Sequence, residues 1–136
     1  MRELARILYV DDEADIRTVA KLALERAGGF EVKAEESAER ALQLLREWLP
    51  DLLLLDVMMP GMDGTELFSR LQADERYKKL PVVFMTAKAQ PAEIDSYREL
   101  GVLDVIPKPF DPFTLGTQLQ SIWTRFQKDG AAVGSV

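Results

Sequence analysis

The chain has 136 residues, a formal net charge of −6, and neither cysteine nor histidine. This length fits one domain whose core needs no disulfide or structural metal, and the composition leaves carboxylates, hydroxyls and lysine for any chemistry. The negative charge and the absence of a lysine and arginine cluster argue against direct nucleic-acid binding. The apolar runs are too short to cross a membrane, and the charged N-terminus lacks a signal segment, so the sequence predicts a cytoplasmic protein.

The first part of the chain predicts two strand–helix units. An apolar strand over 7–10 precedes a helix over 14–27, in which apolar residues recur at intervals of three and four. A second strand over 30–34 alternates apolar and charged residues, which is typical of a strand with one wetter face. Ser37 is then predicted to cap a helix whose apolar face extends to Leu49.

The second part of the chain begins with four leucines over 52–55 that end in Asp56. An uninterrupted apolar run of this length predicts a strand buried on both faces, as in a parallel sheet. The remaining predicted elements are a helix over 65–73, a strand over 82–85, a helix from Pro91, a strand over 102–106 that Asp104 interrupts, and a last helix that Asp111 and Pro112 introduce.

Five alternations of strand and helix predict one architecture. Right-handed crossovers between parallel strands place helices on both faces of the sheet. With the second and fifth strands at the edges, the order 2-1-3-4-5 follows, which is a doubly wound α/β sheet of the flavodoxin-like kind. The predicted domain covers 1–127, and 128–136 is predicted to be a flexible tail or the start of a linker.

Polar side chains stand at the carboxyl ends of the predicted strands. Asp11 and Asp12 follow the first strand, Asp56 and Thr86 end the third and fourth, and Lys108 follows the fifth. Each alone has an ordinary structural explanation as a cap, a turn residue or a surface charge. Together, three carboxylates at one sheet edge repel one another, and oxygen ligands without histidine or cysteine favour Mg²⁺. A lysine and a hydroxyl beside that ion complement a phosphoryl group, with Asp56 as the attacking carboxylate.

Several short motifs together resemble the receiver domain of two-component response regulators. They are Asp11-Asp12, Asp56 with the turn over 59–64, Thr86-Ala87, and Lys108-Pro109-Phe110. The resemblance covers about 5–127, nearly the whole chain, with every element in order.

The resemblance implies a phosphorelay function and a set of roles. Asp56 would accept a phosphoryl group from a phosphohistidine of a histidine kinase or phosphotransfer protein. Asp12, Asp56 and the backbone carbonyl of Met58 would ligate Mg²⁺, and Asp11 would act largely through a bound water. Lys108 would pair with a phosphoryl oxygen.

The resemblance also implies a switch. The Thr86 hydroxyl would turn inward after phosphorylation and repack the surface of the fourth helix, fifth strand and fifth helix, and Lys108-Pro109 would be a cis peptide. One position departs from the family, because Val105 stands where receivers commonly carry tyrosine or phenylalanine. Tyr97 is one candidate substitute, and an ordinary surface aromatic is the other interpretation.

The sequence therefore predicts a signalling protein that acts on a downstream protein target, and not an enzyme. The protein is expected to be a monomer or a weak homodimer. A receiver-like module that binds partners without phosphorylation is an alternative that Val105 leaves open. A Mg²⁺-dependent phosphatase with an aspartyl nucleophile needs a second aspartate where Met58 stands. In a flavodoxin, Asp11-Asp12-Glu13 would repel the FMN phosphate.

Overall fold

The computed structural model describes residues 2–26 and 28–134, and it describes side chains as far as residue 129. Within these residues five strands alternate with five helices. The strands are β1 (Arg6–Val10), β2 (Glu31–Glu35), β3 (Leu52–Asp56), β4 (Val82–Thr86) and β5 (Asp104–Pro107). The helices are α1 (Ala14–Arg26), α2 (Ala38–Leu45), α3 (Gly64–Gln72), α4 (Pro91–Leu100) and α5 (Leu115–Gly134). In this described part, no helix is long and apolar enough to span a membrane.

All five strands are parallel and lie in the order β2-β1-β3-β4-β5, which confirms the predicted doubly wound sheet. The leucine run forms the central strand, where Leu53 lies opposite Leu8 on one side and Val82 on the other. Every residue of β3 and β4 is buried. Because the strands are parallel, their carboxyl ends lie at one edge of the sheet. In such folds ligands bind in the crevice just beyond this edge.

Alternate side chains of the strands enter two separate apolar layers, as the period of two requires. Leu53 and Leu55 of β3 belong to the layer that α2 and α3 cover. Leu52 and Leu54 belong to the opposite layer, which α1 and α5 cover. The predicted stripe on α5 is confirmed, and its members are the buried Leu115, Leu119 and Ile122 and the half-buried Phe126.

Helix α4 is less buried than α3 and α5 on either side of it in the chain. Its residues, all of them described, are exposed or half-buried. Ile94 and Tyr97 supply its contact with the core. The Tyr97 ring meets Phe84 of β4 edge-on, with ring centroids 5.5 Å apart and an interplanar angle of 84°. Tyr97 is therefore a core contact of α4 and not merely a surface aromatic.

The edge strand β5 buries Asp104, the residue that interrupts its apolar sequence. Asp104 is only 8% exposed. Its carboxylate accepts hydrogen bonds from Arg98 of α4 at 2.6 Å and from Arg125 of α5 at 3.0 Å. Burial alone would raise the pKa of Asp104, but these bonds and one from the Val105 amide hold the pKa below its ordinary value. Asp104 thus joins α4 and α5 across β5.

The predicted end of α2 is wrong. The helix ends at Leu45, and Arg46 is its C-cap, so the apolar face does not extend to Leu49. Leu49 is exposed and Trp48 is buried in its place. Arg6 and Lys33 lie over the Trp48 ring, 5.5 and 5.2 Å from its centroid.

The predicted start of α5 is also wrong. Asp111 and Pro112 belong to a turn before the helix, whose first residue is Leu115. The Asp111 carboxylate accepts from the Phe113 amide at 2.9 Å, so it closes this turn. Helix α5 then continues through residues 128–134, which belong to the segment 128–136 that was predicted to be a flexible tail or the start of a linker. Residue Ala27, expected at the end of α1, lies outside the described residues.

Candidate functional site

The predicted polar residues meet at the carboxyl edge of the sheet. Lys108 is the point of convergence, because its ammonium donates to Asp11 Oδ2 at 2.9 Å and to Asp56 Oδ2 at 3.4 Å. It also donates to Glu13 Oε1 at 3.2 Å. Two of these acceptors, Asp11 and Asp56, are almost fully buried. One cation therefore bridges the ends of β1 and β3 and the loop after β1.

The Lys108 ammonium is held in its charged form. Burial on its own would lower the pKa of Lys108, but the hydrogen bond and charge of Asp11 and the charge of Asp56 raise the pKa above its ordinary value. A lysine in this setting is a permanent positive charge. It is already placed beside the buried carboxylates before any ligand arrives.

Asp56 is the most perturbed carboxylate of the site. It is 2% exposed, and burial together with the nearby charge of Asp11 raises its pKa from 3.8 to about 6. Lys108 and the Met58 amide, which donates to Asp56 Oδ1 at 3.3 Å, oppose this rise. Asp56 is consequently ionised at neutral pH, yet weakly stabilised as an anion, which suits a nucleophilic carboxylate.

Four acidic side chains form a group that could hold a metal ion. Asp11, Asp12, Glu13 and Asp56 each offer a carboxylate oxygen, and these atoms lie within 4.8 Å of one another. The donors are all oxygens, which is the chemistry of Mg²⁺ and not of zinc or copper. Crowded anions with a single lysine between them fit a divalent cation. The role of the Met58 carbonyl stays a prediction.

The loop after β3 is fixed directly beneath Asp56. A Cβ at Gly64 would lie 2.5 Å from the Asp56 carbonyl oxygen and 2.8 Å from Val57 Cα, so this close approach requires glycine. Asp63 caps α3 by accepting from the Glu66 amide at 3.0 Å. These contacts explain why the pair Asp63-Gly64 ends the turn that follows the acidic strand.

Thr86 ends β4 and is completely buried. Its hydroxyl accepts a hydrogen bond from the Lys88 amide at 3.0 Å, within its own loop. The small side chain of Ala87 next to it borders an open cavity of about 310 Å³. The residues that line this cavity are Glu13, Ile16, Asp56, Met58, Ala87, Lys108 and Pro109. The Lys108-Pro109 peptide at its rim is cis, as the resemblance implied.

Two members of the site had no predicted role. Glu13 contacts Lys108, and the hydroxyl of Tyr9 donates to Asp11 Oδ2 at 2.6 Å. The signal for Tyr9 was its position two residues before Asp11, which places both side chains on the same face of a strand. The sequence analysis missed this role because Tyr9 lies within the apolar run over 7–10, where a tyrosine is interpreted as a core residue.

Comparison with known proteins decides the family. The profile of the response regulator receiver domain matches residues 7–120. The chain belongs to this family. Its members are the receiver domains of response regulators in two-component signalling.

Individual relatives agree with this assignment. The phosphate regulon transcriptional regulatory protein PhoB of Pseudomonas aeruginosa is 40% identical over 119 residues, which cover 88% of this chain and 52% of the relative. Response regulator Rre1 of Synechocystis is 34% identical over 132 residues, or 97% and 57% of the two chains. This receiver therefore spans about half the length of the curated relatives it matches.

A solved structure confirms the fold. Chemotaxis protein CheY4 of Vibrio cholerae superposes with a TM-score of 0.79 at 30% identity, covering 88% of this chain and 98% of that chain. The agreement extends over nearly the whole of the known protein. The strand order and the helices on both faces are thus those of a CheY-like receiver.

Proposed function

We propose that this receiver is a phosphoacceptor and that Asp56 carries the phosphoryl group. The observation that supports the proposal is a buried, ionisable carboxylate 3.4 Å from a half-buried lysine, both of which line an open cavity. A carboxylate oxygen of Asp56 would attack the phosphorus of a phosphohistidine. The new P–O bond gives an acyl phosphate while the P–N bond breaks, and the imidazole of the histidine kinase or phosphotransfer protein leaves with the electron pair.

The charge balance explains the remaining residues. The transferred group brings negative charge into a site that already holds four carboxylates. Mg²⁺, held by Asp11, Asp12, Asp56 and the Met58 carbonyl, would supply the neutralising charge. Lys108 would donate to a phosphoryl oxygen in place of its present bond to Asp56 Oδ2.

The proposed output begins at Thr86. Its hydroxyl would release the Lys88 amide and donate to a phosphoryl oxygen, which moves the loop between β4 and α4 toward Asp56. Since α4 rests on the core through few side chains, its position relative to β5 and α5 would change with this loop. A downstream protein would read that surface. The chain acts as a cytoplasmic signalling module and not as an enzyme with a small-molecule substrate, with 1–127 as the receiver and 128–134 as the continuation of its last helix.

Intact-mass measurement after incubation with Mg²⁺ and acetyl phosphate tests the proposal. Wild type should gain one phosphoryl group, and Asp56→Asn should gain none. Asp63→Asn is the matched control, because Asp63 is a nearby carboxylate that caps α3, and this variant should react like wild type. Chelation of Mg²⁺ should prevent the gain.

Beryllium fluoride separates a failed donor from a failed site, because it mimics a phosphoryl group without needing transfer. Binding should shift the amide resonances of Thr86 and of α4 in wild type and leave Asp56→Asn unchanged. A wild type that neither gains phosphoryl mass nor responds to beryllium fluoride would contradict the proposal.

A further inference from the structure

Tyr9 places a phenol hydroxyl underneath the acidic site. It lies in β1, two residues before Asp11, and both side chains are 0% exposed. The tyrosine oxygen is 2.6 Å from Asp11 Oδ2. Such a distance is typical of a hydroxyl that donates to an ionised carboxylate.

The direction of this hydrogen bond follows from its surroundings. The Tyr9 oxygen also lies 3.6 Å from Met85 Sδ, but the single hydroxyl proton is directed to the much closer carboxylate. A phenol hydroxyl keeps its proton at neutral pH, so Tyr9 is the donor of this bond. The position of the hydroxyl is set by β1 of the sheet and not by a loop.

Asp11 has a donor on each side. Oδ2 accepts from Tyr9 and from Lys108 at 2.9 Å, whereas Oδ1 accepts from the Glu13 amide at 2.9 Å. Arg17 binds the main-chain carbonyl of Asp11 at 2.8 Å. Of the two donors to Oδ2, Lys108 is shared with other acceptors and is the group that would turn to a phosphoryl oxygen. The Tyr9 hydroxyl, in contrast, donates to Asp11 and is not shared with Glu13 or Asp56.

We propose that Tyr9 is a positioning residue for the metal site, which holds the Asp11 carboxylate in its binding orientation, above all when Lys108 is engaged elsewhere. The inference depends on the proposed function, since it assumes that Asp11 takes part in holding Mg²⁺. Hydrogen bonds that orient metal ligands are worth roughly 10- to 100-fold in metal affinity. The lower end applies here, because Asp11 keeps the donors Lys108 and Glu13.

The test compares Mg²⁺ affinity in variants that lose one oxygen atom. Tyr9→Phe keeps the ring and removes the hydroxyl. Tyr77→Phe is the matched control, because Tyr77 is also buried but lies in the other core layer, before the amino end of β4. A titration followed by amide resonances suits a weak site, and the amides of Glu13 and Met58, which donate to Asp11 and Asp56, are the reporters. We expect the Mg²⁺ dissociation constant to rise roughly tenfold in Tyr9→Phe and to stay unchanged in Tyr77→Phe.

A second background separates positioning from simple packing. Lys108→Ala removes the other donor to Asp11 Oδ2 and a cation that competes with Mg²⁺, so its affinity should exceed that of wild type. Adding Tyr9→Phe to Lys108→Ala should then cost clearly more than in wild type, because Oδ2 loses its last donor. A Tyr9→Phe effect of equal size in both backgrounds would overturn the positioning role, because a packing defect is indifferent to Lys108.

The outcomes also distinguish this inference from the proposed function. If wild type binds Mg²⁺ and Tyr9→Phe binds it equally well, only the role of Tyr9 is wrong. If wild type shows no response at the Glu13 and Met58 amides, the metal site itself is wrong, and both proposals are overturned.

Discussion

Replacement of Asp56 by asparagine should make the protein more stable at neutral pH. Because the pKa of Asp56 is raised from 3.8 to about 6, its carboxyl binds a proton more tightly in the folded than in the unfolded chain. The free energy of unfolding therefore falls as the pH rises through this interval, and the cost persists above it. Asparagine cannot ionise, so Asp56→Asn removes the cost while keeping nearly the same shape.

The size of the effect follows from linkage. A carboxyl with a pKa of about 6 in the folded state and 3.8 in the unfolded state lowers the free energy of unfolding by about 3 kcal/mol at pH 7 and by about 1 kcal/mol at pH 4.5. This cost already includes the favourable contact with Lys108, because that contact lowers the same pKa. We expect Asp56→Asn to be more stable by about 1–3 kcal/mol at pH 7, with a clearly smaller gain at pH 4.5.

Urea unfolding of both proteins at the two pH values, with a chelator present, measures this difference. The chelator matters because bound Mg²⁺ stabilises wild type by mass action and would hide the effect. Asp63→Asn is the control of opposite sign. Hydrogen bonds from the Glu66 amide and Thr65 hydroxyl lower the pKa of Asp63, so its carboxylate contributes stability at neutral pH that is lost as the pH falls. A stability gain for Asp56→Asn that is absent at pH 7, or as large at pH 4.5, would refute the reasoning.

Two further substitutions test the surroundings of the site. Gly64→Ala places a Cβ 2.5 Å from the Asp56 carbonyl oxygen, so chemical denaturation should show a loss of about 1–3 kcal/mol, and unchanged stability would contradict the close approach. Tyr97→Ala removes the ring that packs against Phe84, and we expect a loss of about 1–2 kcal/mol. Amide exchange should then accelerate in α4 far more than in α3, and an equal acceleration in both helices would show that Tyr97 does not hold α4 specifically.

The strand order could be predicted from the sequence because the pattern of apolar and polar residues in each strand indicates how deeply that strand is buried. Four consecutive leucines over 52–55 have no polar side, so that strand must lie inside a sheet covered on both faces. The end of α2 could not be predicted in the same way. The helical period continues from Leu45 to Leu49, but the chain leaves the helix and buries Trp48, a larger apolar surface that Arg6 and Lys33 also cover. The spacing of apolar residues alone does not predict whether Trp48 or Leu49 will be buried.

The candidate site was predictable for a topological reason. The residues that follow parallel strands lie at one edge of the sheet, so Asp11 and Asp56, at the ends of the neighbouring β1 and β3, had to lie side by side once the order was known. Lys108 follows the edge strand β5, and its long side chain crosses β4 to reach both carboxylates. Tyr9 was not predictable by this rule, because it lies inside a strand and not after one. Its side chain lies on the same side of the sheet as that of Asp11, two residues later, so its ring packs in the core while its hydroxyl reaches the Asp11 carboxylate.

Val105 stands where receivers commonly carry an aromatic residue, and an aromatic side chain of α4 packs nearby instead. Val105 is buried and lies opposite Phe84 in the β4–β5 pairing, and the rings that pack on Phe84 come from Tyr97 of α4 and Phe68 of α3 instead of from β5. Four residues of loop separate Thr86 at the end of β4 from the first residue of α4. A displacement of Thr86 toward Asp56 would thus act on α4 through this short loop, and the Tyr97 contact would yield with the helix that carries it. Under the proposed function that coupling would need no aromatic group on β5, because α4 itself carries the aromatic side chain that packs on Phe84.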